Sequence, residues 1–221
     1  MSRYLPTITW IFVAVLLISG IVSTKIIALG PLSFDGGTLL FPISYIFGDV
    51  LTEVYGYKKT RKIIWIWLIS MVMMSLMIMI VGWLPSDPQR VFQTDYNNIL
   101  ALAPRIFIWS IVAYFVGEFL NSYILAKMKV AMGGKKLWMR TIGSTLVGEF
   151  FDTIIMITIA FWGLFPLATF VTIIVSNYIF KVLVEILFTP VTYKVVARLK
   201  HHEQIDVYDT HTQFTPFSLK E

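Results

Sequence analysis

Cysteine is absent from the 221-residue chain, which excludes a disulfide framework, a thiolate metal site and a cysteine nucleophile. Charge is scarce as well: 14% of the residues are Asp, Glu, Lys or Arg, against about 25% in a soluble domain. No Gly-x-Ser-x-Gly, zincin or Walker motif occurs, so the chain shows no catalytic signature and is not read as an enzyme. Histidine is limited to His201, His202 and His211. Adjacent histidines diverge on a helix and the surrounding Asp206 and Asp209 lack a tight ligand spacing, so neither a metal nor another cofactor is expected. Residues 201–221 read instead as a polar, solvated tail.

What fills the space is apolar. Hydrophobic residues make up 57% of the chain and mean hydropathy is +0.76, an excess that a water-soluble core of this size cannot absorb. Stretches of about 18 or more mostly apolar residues mark membrane-spanning helices. Six are found near 8–29, 38–57, 63–84, 104–127, 141–163 and 168–197. The first is too long for a signal-peptide core and is taken as a span. The expected fold is therefore an all-α membrane protein with one transport-sized domain over residues 1–200. The loop over 85–103 carries an amphipathic run suited to the membrane surface.

Net charge is +5, yet the basic residues sit in short clusters beside the spans, so topology rather than nucleic-acid binding explains them. With the N-terminus inside, only Lys25, Arg90, Arg105 and Lys181 of the eighteen lysines and arginines fall elsewhere than the inner side. That bias requires an even number of spans with both termini cytoplasmic.

Three spans carry a recurring polar signature, in which Gly precedes an acid and a second polar group follows three or four positions on. The pairs are Asp49 with Glu53, Glu118 with Asn121, and Glu149 with Asp152, each sharing one helix face. Lys181 and Glu185 add a fourth pair on the last span. An ionised group at mid-membrane costs at least about 2.5–3.5 kcal/mol, so such residues usually face a cavity and serve a function. Lys181 and Glu185 could neutralise one another, and Glu53 could serve as an interfacial charge beside Lys58. The seven tryptophans default to the interfacial belt, whereas Tyr45 and Phe151 neighbour the acidic faces and could stack on a flat substrate. The methionines between Met71 and Met79 read as packing, not as a soft-metal site.

The run from Phe41 to Lys62, with its Gly48-Asp49-Val-Leu-Thr52-Glu53 core, resembles the queuosine-precursor transporter family, also called the vitamin uptake transporter family. The likeness continues through Gly117-Glu118-Phe-Leu-Asn121, Gly148-Glu149-Phe-Phe-Asp152, Lys181 to Glu185 and Asp206-Val-Tyr208-Asp209. It implies a six-helix, multi-pass importer of the cell inner membrane that salvages a 7-deazaguanine such as 7-cyano-7-deazaguanine for tRNA modification. Under that resemblance Glu149 or Glu118 would take the base edge, Asn121 would bridge a donor and an acceptor, and Tyr45 or Phe151 would stack. Asp49 and Asp152 would form the polar wall, with Glu53, Lys181 and Glu185 completing the set. The partners expected are a nucleobase and the bilayer, with a second copy or an energising subunit left open. Two alternatives stand beside it: the substrate-binding subunit of an energy-coupling-factor-like vitamin importer, and an intramembrane enzyme using paired carboxylates.

Overall fold

The computed structural model describes residues 2–29, 32–85, 93–100, 103–161 and 166–217. Its elements in order are α1 (Leu5–Val22), a β1–β2 hairpin (Ile26–Leu29 and Leu32–Asp35), a 3-10 turn (Gly36–Leu39), α2 (Phe41–Val50), a π-helical turn (Leu51–Tyr55), α3 (Tyr57–Trp83), α4 (Gln93–Ile99), α5 (Ala103–Ala131), α6 (Leu137–Phe161) and α7 (Leu167–Glu203). Pro6 and Pro42 fall in the first turns of α1 and α2, where a missing N–H breaks no helical bond.

Two expected spans change shape. The first ends at Val22, and the apolar Ile26–Leu29 pairs antiparallel with Leu32–Asp35, Ile26 opposite Asp35, so the chain is not wholly helical. A four-residue apolar run cannot be told apart as strand or helix by its pattern. The second span is a short α-helix continued by the π-helical turn, and it stops at Gly56, whose φ of +83° lies in the left-handed region. Among the described residues, four helices are long and apolar enough to cross a membrane: Leu5–Val22, Tyr57–Trp83, Leu137–Ile159 and Phe170–Glu203.

The bundle turns apolar side chains outward and polar ones inward. Ile69, Met73 and Met77 on α3 and Leu183 and Leu187 on α7 are exposed, whereas Asp49, Glu118, Glu149 and Glu185 are buried. That inversion suits a lipid solvent, which leaves apolar surface unpenalised. Helices α5 and α6 make the most intimate pair, crossing at Gly117 and Gly148. The first turn of α3, the last turns of α5 and α7 and the first turn of α6 meet at one end, where Tyr57, Lys129, Arg140, Lys200 and the segment after α7 touch. The start of α1 joins them, the Tyr4 N–H donating to Glu203. The lysine- and arginine-rich termini are thus gathered on a single side.

The segment after α7 does not hang free as a solvated tail. The Val207 N–H donates to the Val54 carbonyl (3.2 Å), Arg61 donates to the carbonyls of Gln213 (2.9 Å) and Thr215 (2.7 Å), and the Trp65 indole donates to that of Pro216 (2.8 Å). Phe214 packs on Tyr57 with ring centroids 5.0 Å apart, beneath the Lys127 ammonium at 4.4 Å.

Candidate functional site

Helix periodicity stacks the buried polar residues in three tiers along the bundle. The first lines a cavity of about 130 Å³ bounded by α1, the 3-10 turn, α2, α3, α5, α6 and α7. Tyr45, Glu149, Asp152 and Lys181 all line it, together with Phe41, Ser44, Trp67 and Tyr114. The Lys181 ammonium bridges Glu149 Oε2 at 2.8 Å and Asp152 Oδ2 at 2.6 Å, and lies 5.1 Å from the Phe41 ring centroid. Two carboxylates three positions apart on α6 are thereby held side by side by a cation from α7. The expected neutralisation of Lys181 by Glu185 on its own helix gives way to this cross-helix bridge.

Aromatic walls complete the cavity. Phe41 and Tyr45 stack at 4.2 Å between centroids, and Trp67 meets Tyr114 at 4.3 Å. Trp67 is 2% exposed, so it is no belt residue, and its indole N–H has no hydrogen-bond partner among the described residues. A buried donor without a partner beside an open cavity is a place for a ligand acceptor. Trp10, Trp83 and Trp138 keep the exposed positions that a membrane belt requires.

One helical turn toward the basic end lies the second tier, made of Asp49, Glu118, Asn121 and Glu185. Asn121 Nδ2 donates to Asp49 Oδ1 at 3.2 Å, and Glu185 faces Asp49 across the packed α2 and α7. Gly48 lets Glu118 in, since a Cβ there would stand 2.6 Å from Glu118 Oε1. Thr52 donates to Ser122 at 3.2 Å and closes this layer below.

The third tier is an ion cluster centred on Glu53. Arg140 clasps both carboxylate oxygens, Lys200 lies at 2.7 Å and Lys129 at 3.7 Å. Lys129 also donates to the Val207 carbonyl at 2.7 Å and pairs with Asp206, which Lys200 reaches at 2.8 Å. Burial by itself would raise Asp206, but hydrogen bonds from Lys129 and Lys200 and their charges hold it below the ordinary carboxylate value. Glu53 is therefore fully paired, outside the cavity, and its partners are not the sequence-adjacent Lys58.

Phe151 is not brought to the site either. It is 42% exposed on the outer face of α6 and packs edge-to-face with Phe150 at 5.5 Å. Phe41, Ser44 and Trp67 are lining residues that the acid-centred reading missed; their spacing from Tyr45 and Met71 along α2 and α3 was the available signal. Among the described residues, no group of three or more His, Cys, Asp or Glu side chains is arranged to hold a metal ion. The arrangement can hold a flat, polar-edged molecule: acceptors and an ammonium at one wall, aromatic faces at another, and an indole donor.

Residues 35–195 match the family described as "Putative vitamin uptake transporter". The chain is similar to a "Probable queuosine precursor transporter" of Bacillus subtilis, 25% identical over 81% of this chain and 79% of the relative. It is likewise similar to the "Queuosine precursor transporter" of Escherichia coli, 26% identical over 74% and 72% of the two chains. A third such relative, from Haemophilus influenzae, is 26% identical over 80% of this chain and 77% of its own. No solved structure matches significantly.

Proposed function

The chain belongs to the vitamin uptake transporter family, and on that premise we propose that it imports a 7-deazaguanine precursor of queuosine across the inner membrane. The observation that carries this reading is the Glu149–Lys181–Asp152 bridge lining a cavity with aromatic walls. A guanine-like edge presents adjacent N–H donors at N1 and the exocyclic N2, and one carboxylate accepts both in a charge-assisted pair. Glu149 takes that edge, Lys181 and the Trp67 indole N–H face the acceptors on the other side of the ring, and Tyr45 covers its face. Asp152 keeps Lys181 in place while Glu149 exchanges the ammonium for substrate.

The basic end supports an orientation. Lys58, Lys59, Lys127, Lys135, Lys194 and Arg198 adjoin the Glu53 cluster end of α3, α5, α6 and α7, and cytoplasmic loops are enriched in such residues. In this reading the chain crosses six times with both termini in the cytoplasm, which the start of α1 beside the end of α7 supports. The cavity then lies in the outer half of the bundle, reached from outside, with the second tier beneath it and the ion cluster beyond.

Adenine presents an acceptor at N1 and would leave Glu149 unmatched. A site built on such hydrogen bonds rejects the wrong edge by as much as about 10⁴–10⁵. Calorimetry on purified protein should show 7-cyano-7-deazaguanine binding far more tightly than adenine, with Glu149→Gln losing most of that affinity. Equal binding of the two bases refutes the substrate class. Tight binding without uptake by the reconstituted protein alone points instead to the substrate-binding subunit of an ATP-driven importer.

A further inference from the structure

The cations of the interior are spoken for. Lys181 holds Glu149 and Asp152, while Arg140, Lys129 and Lys200 hold Glu53 and Asp206. Asp49, Glu118 and Glu185 are 0%, 4% and 2% exposed, and among the described residues no lysine or arginine forms an ion pair with any of them. An uncompensated carboxylate in such a place is too costly to persist, so the tier must bind positive charge.

A second observation says which. Asn121 is 1% exposed and its carbonyl oxygen, among these carboxyls, has no donor; Asp49 Oδ2, Glu118 Oε1 and Glu185 Oε1 share that condition. Yet Asp49 on α2 and Glu185 on α7 face one another across two packed helices. Two ionised carboxylates, both acceptors, cannot bond one another, whereas a carboxylic acid and a carboxylate can. Nor are carboxyls and histidines grouped as a metal cage among the described residues. The missing charge is a proton.

We infer that Glu118 holds a resident proton, that Asp49 and Glu185 share a second, exchangeable one, and that import is coupled to the passage of this second proton from the outside to the cytoplasm. The coupling half of this inference rests on the transport reading above. The pair is faced by Glu118 and Asn121 from α5, by Glu149 from the cavity side of α6, and by Glu53 with its Arg140 from the cytoplasmic side. It therefore stands between the cavity and the ion cluster. The proton enters from the cavity with the site open outward and leaves to cytoplasmic water with the site open inward. With a neutral nucleobase, each cycle carries one positive charge inward.

The test has two arms. Infrared titration of the purified full chain, without substrate, should show protonated-carboxyl absorption at neutral pH that drops in Glu185→Gln, whose amide can donate to Asp49 permanently. No such absorption in folded wild type, or its undiminished persistence in both Asp49→Asn and Glu185→Gln, overturns the proton pair. In proteoliposomes, labelled 7-cyano-7-deazaguanine should accumulate by up to about ten-fold per pH unit of outside acidity, and about 50-fold per 100 mV inside-negative, as one charge requires. Glu185→Gln should lose that concentrative uptake. Wild-type uptake indifferent to both gradients overturns the coupling, while a protein that shows the band but binds no 7-deazaguanine refutes the substrate and leaves the proton pair standing.

Discussion

Gly117 and Gly148 are each other's backbone contact. A Cβ on Gly117 would lie 3.0 Å from the Gly148 carbonyl oxygen, and one on Gly148 would lie 2.8 Å from that of Gly117. The glycines of the repeated Gly-acid signature thus bring α5 and α6 together so that Glu118, Asn121, Glu149 and Asp152 converge. Overfilling such a contact typically costs about 1–3 kcal/mol, and here a backbone rather than a side chain would have to move. Gly148→Val should lower the thermal unfolding midpoint in detergent clearly. Gly143→Ala, which meets only the flexible end of Met128 at 3.2 Å, should stay near wild type.

Lys181 is the single cation of the cavity tier among the described residues, and both its partners are poorly exposed. Breaking a buried pair from one side commonly costs about 3–5 kcal/mol, because the abandoned charge is left uncompensated. Lys181→Met should therefore destabilise the protein strongly, and adding Glu149→Gln and Asp152→Asn together should restore thermal stability without restoring ligand binding. If Lys181→Met unfolds at the wild-type temperature, the bridge does not carry the energy assigned to it.

Tyr45 lines the cavity and Phe151 faces away from it. Stacking on a base is worth about 1–3 kcal/mol by alanine substitution. Titration with 7-cyano-7-deazaguanine should show Tyr45→Ala weakening binding by about 5- to 150-fold and Phe151→Ala leaving it unchanged. The reverse ranking would place the ring elsewhere.

Arg61 holds two carbonyls of the segment after α7, and hydrogen bonds from charged donors are worth about 1.5–3 kcal/mol each. Arg61→Ala should speed amide exchange over residues 205–217 while sparing α5 and α6. Acid should act through Asp206. Its folded value is depressed, so its contribution to the clasp is complete above the ordinary Asp value of about 3.9 and is lost as pH falls through the lower folded one. Exchange over 205–217 should accordingly stay slow at pH 5 and rise only below that ordinary value.

Apolar runs revealed the helices, because a span needs length and hydropathy and little else. They did not reveal where helices break. Gly56 with its positive φ stops the second one, and Ile26–Leu29 is as apolar as the helix before it. The acids at i and i+3 were legible as shared faces, and Tyr45, four positions before Asp49, shares that face and lines the cavity. Phe151 adjoins Asp152 in sequence, but neighbours on a helix point about 100° apart, which sends its ring outward. The partners of Glu53 were illegible for another reason: they come from α5, α6 and α7, and no local pattern selects among eighteen lysines and arginines.

That distance along the chain matters during synthesis. Arg140 follows Glu53 by 87 positions and Lys200 by 147. At about 5–20 residues per second, a ribosome needs roughly 7–30 s to deliver the second of them. Through that interval the π-helical turn after α2 carries a carboxylate with its ring of cations incomplete, a costly group to leave in lipid. The last cation of that ring arrives only with the last span, so a chain stopped before Lys200 leaves Glu53 short of one of its partners.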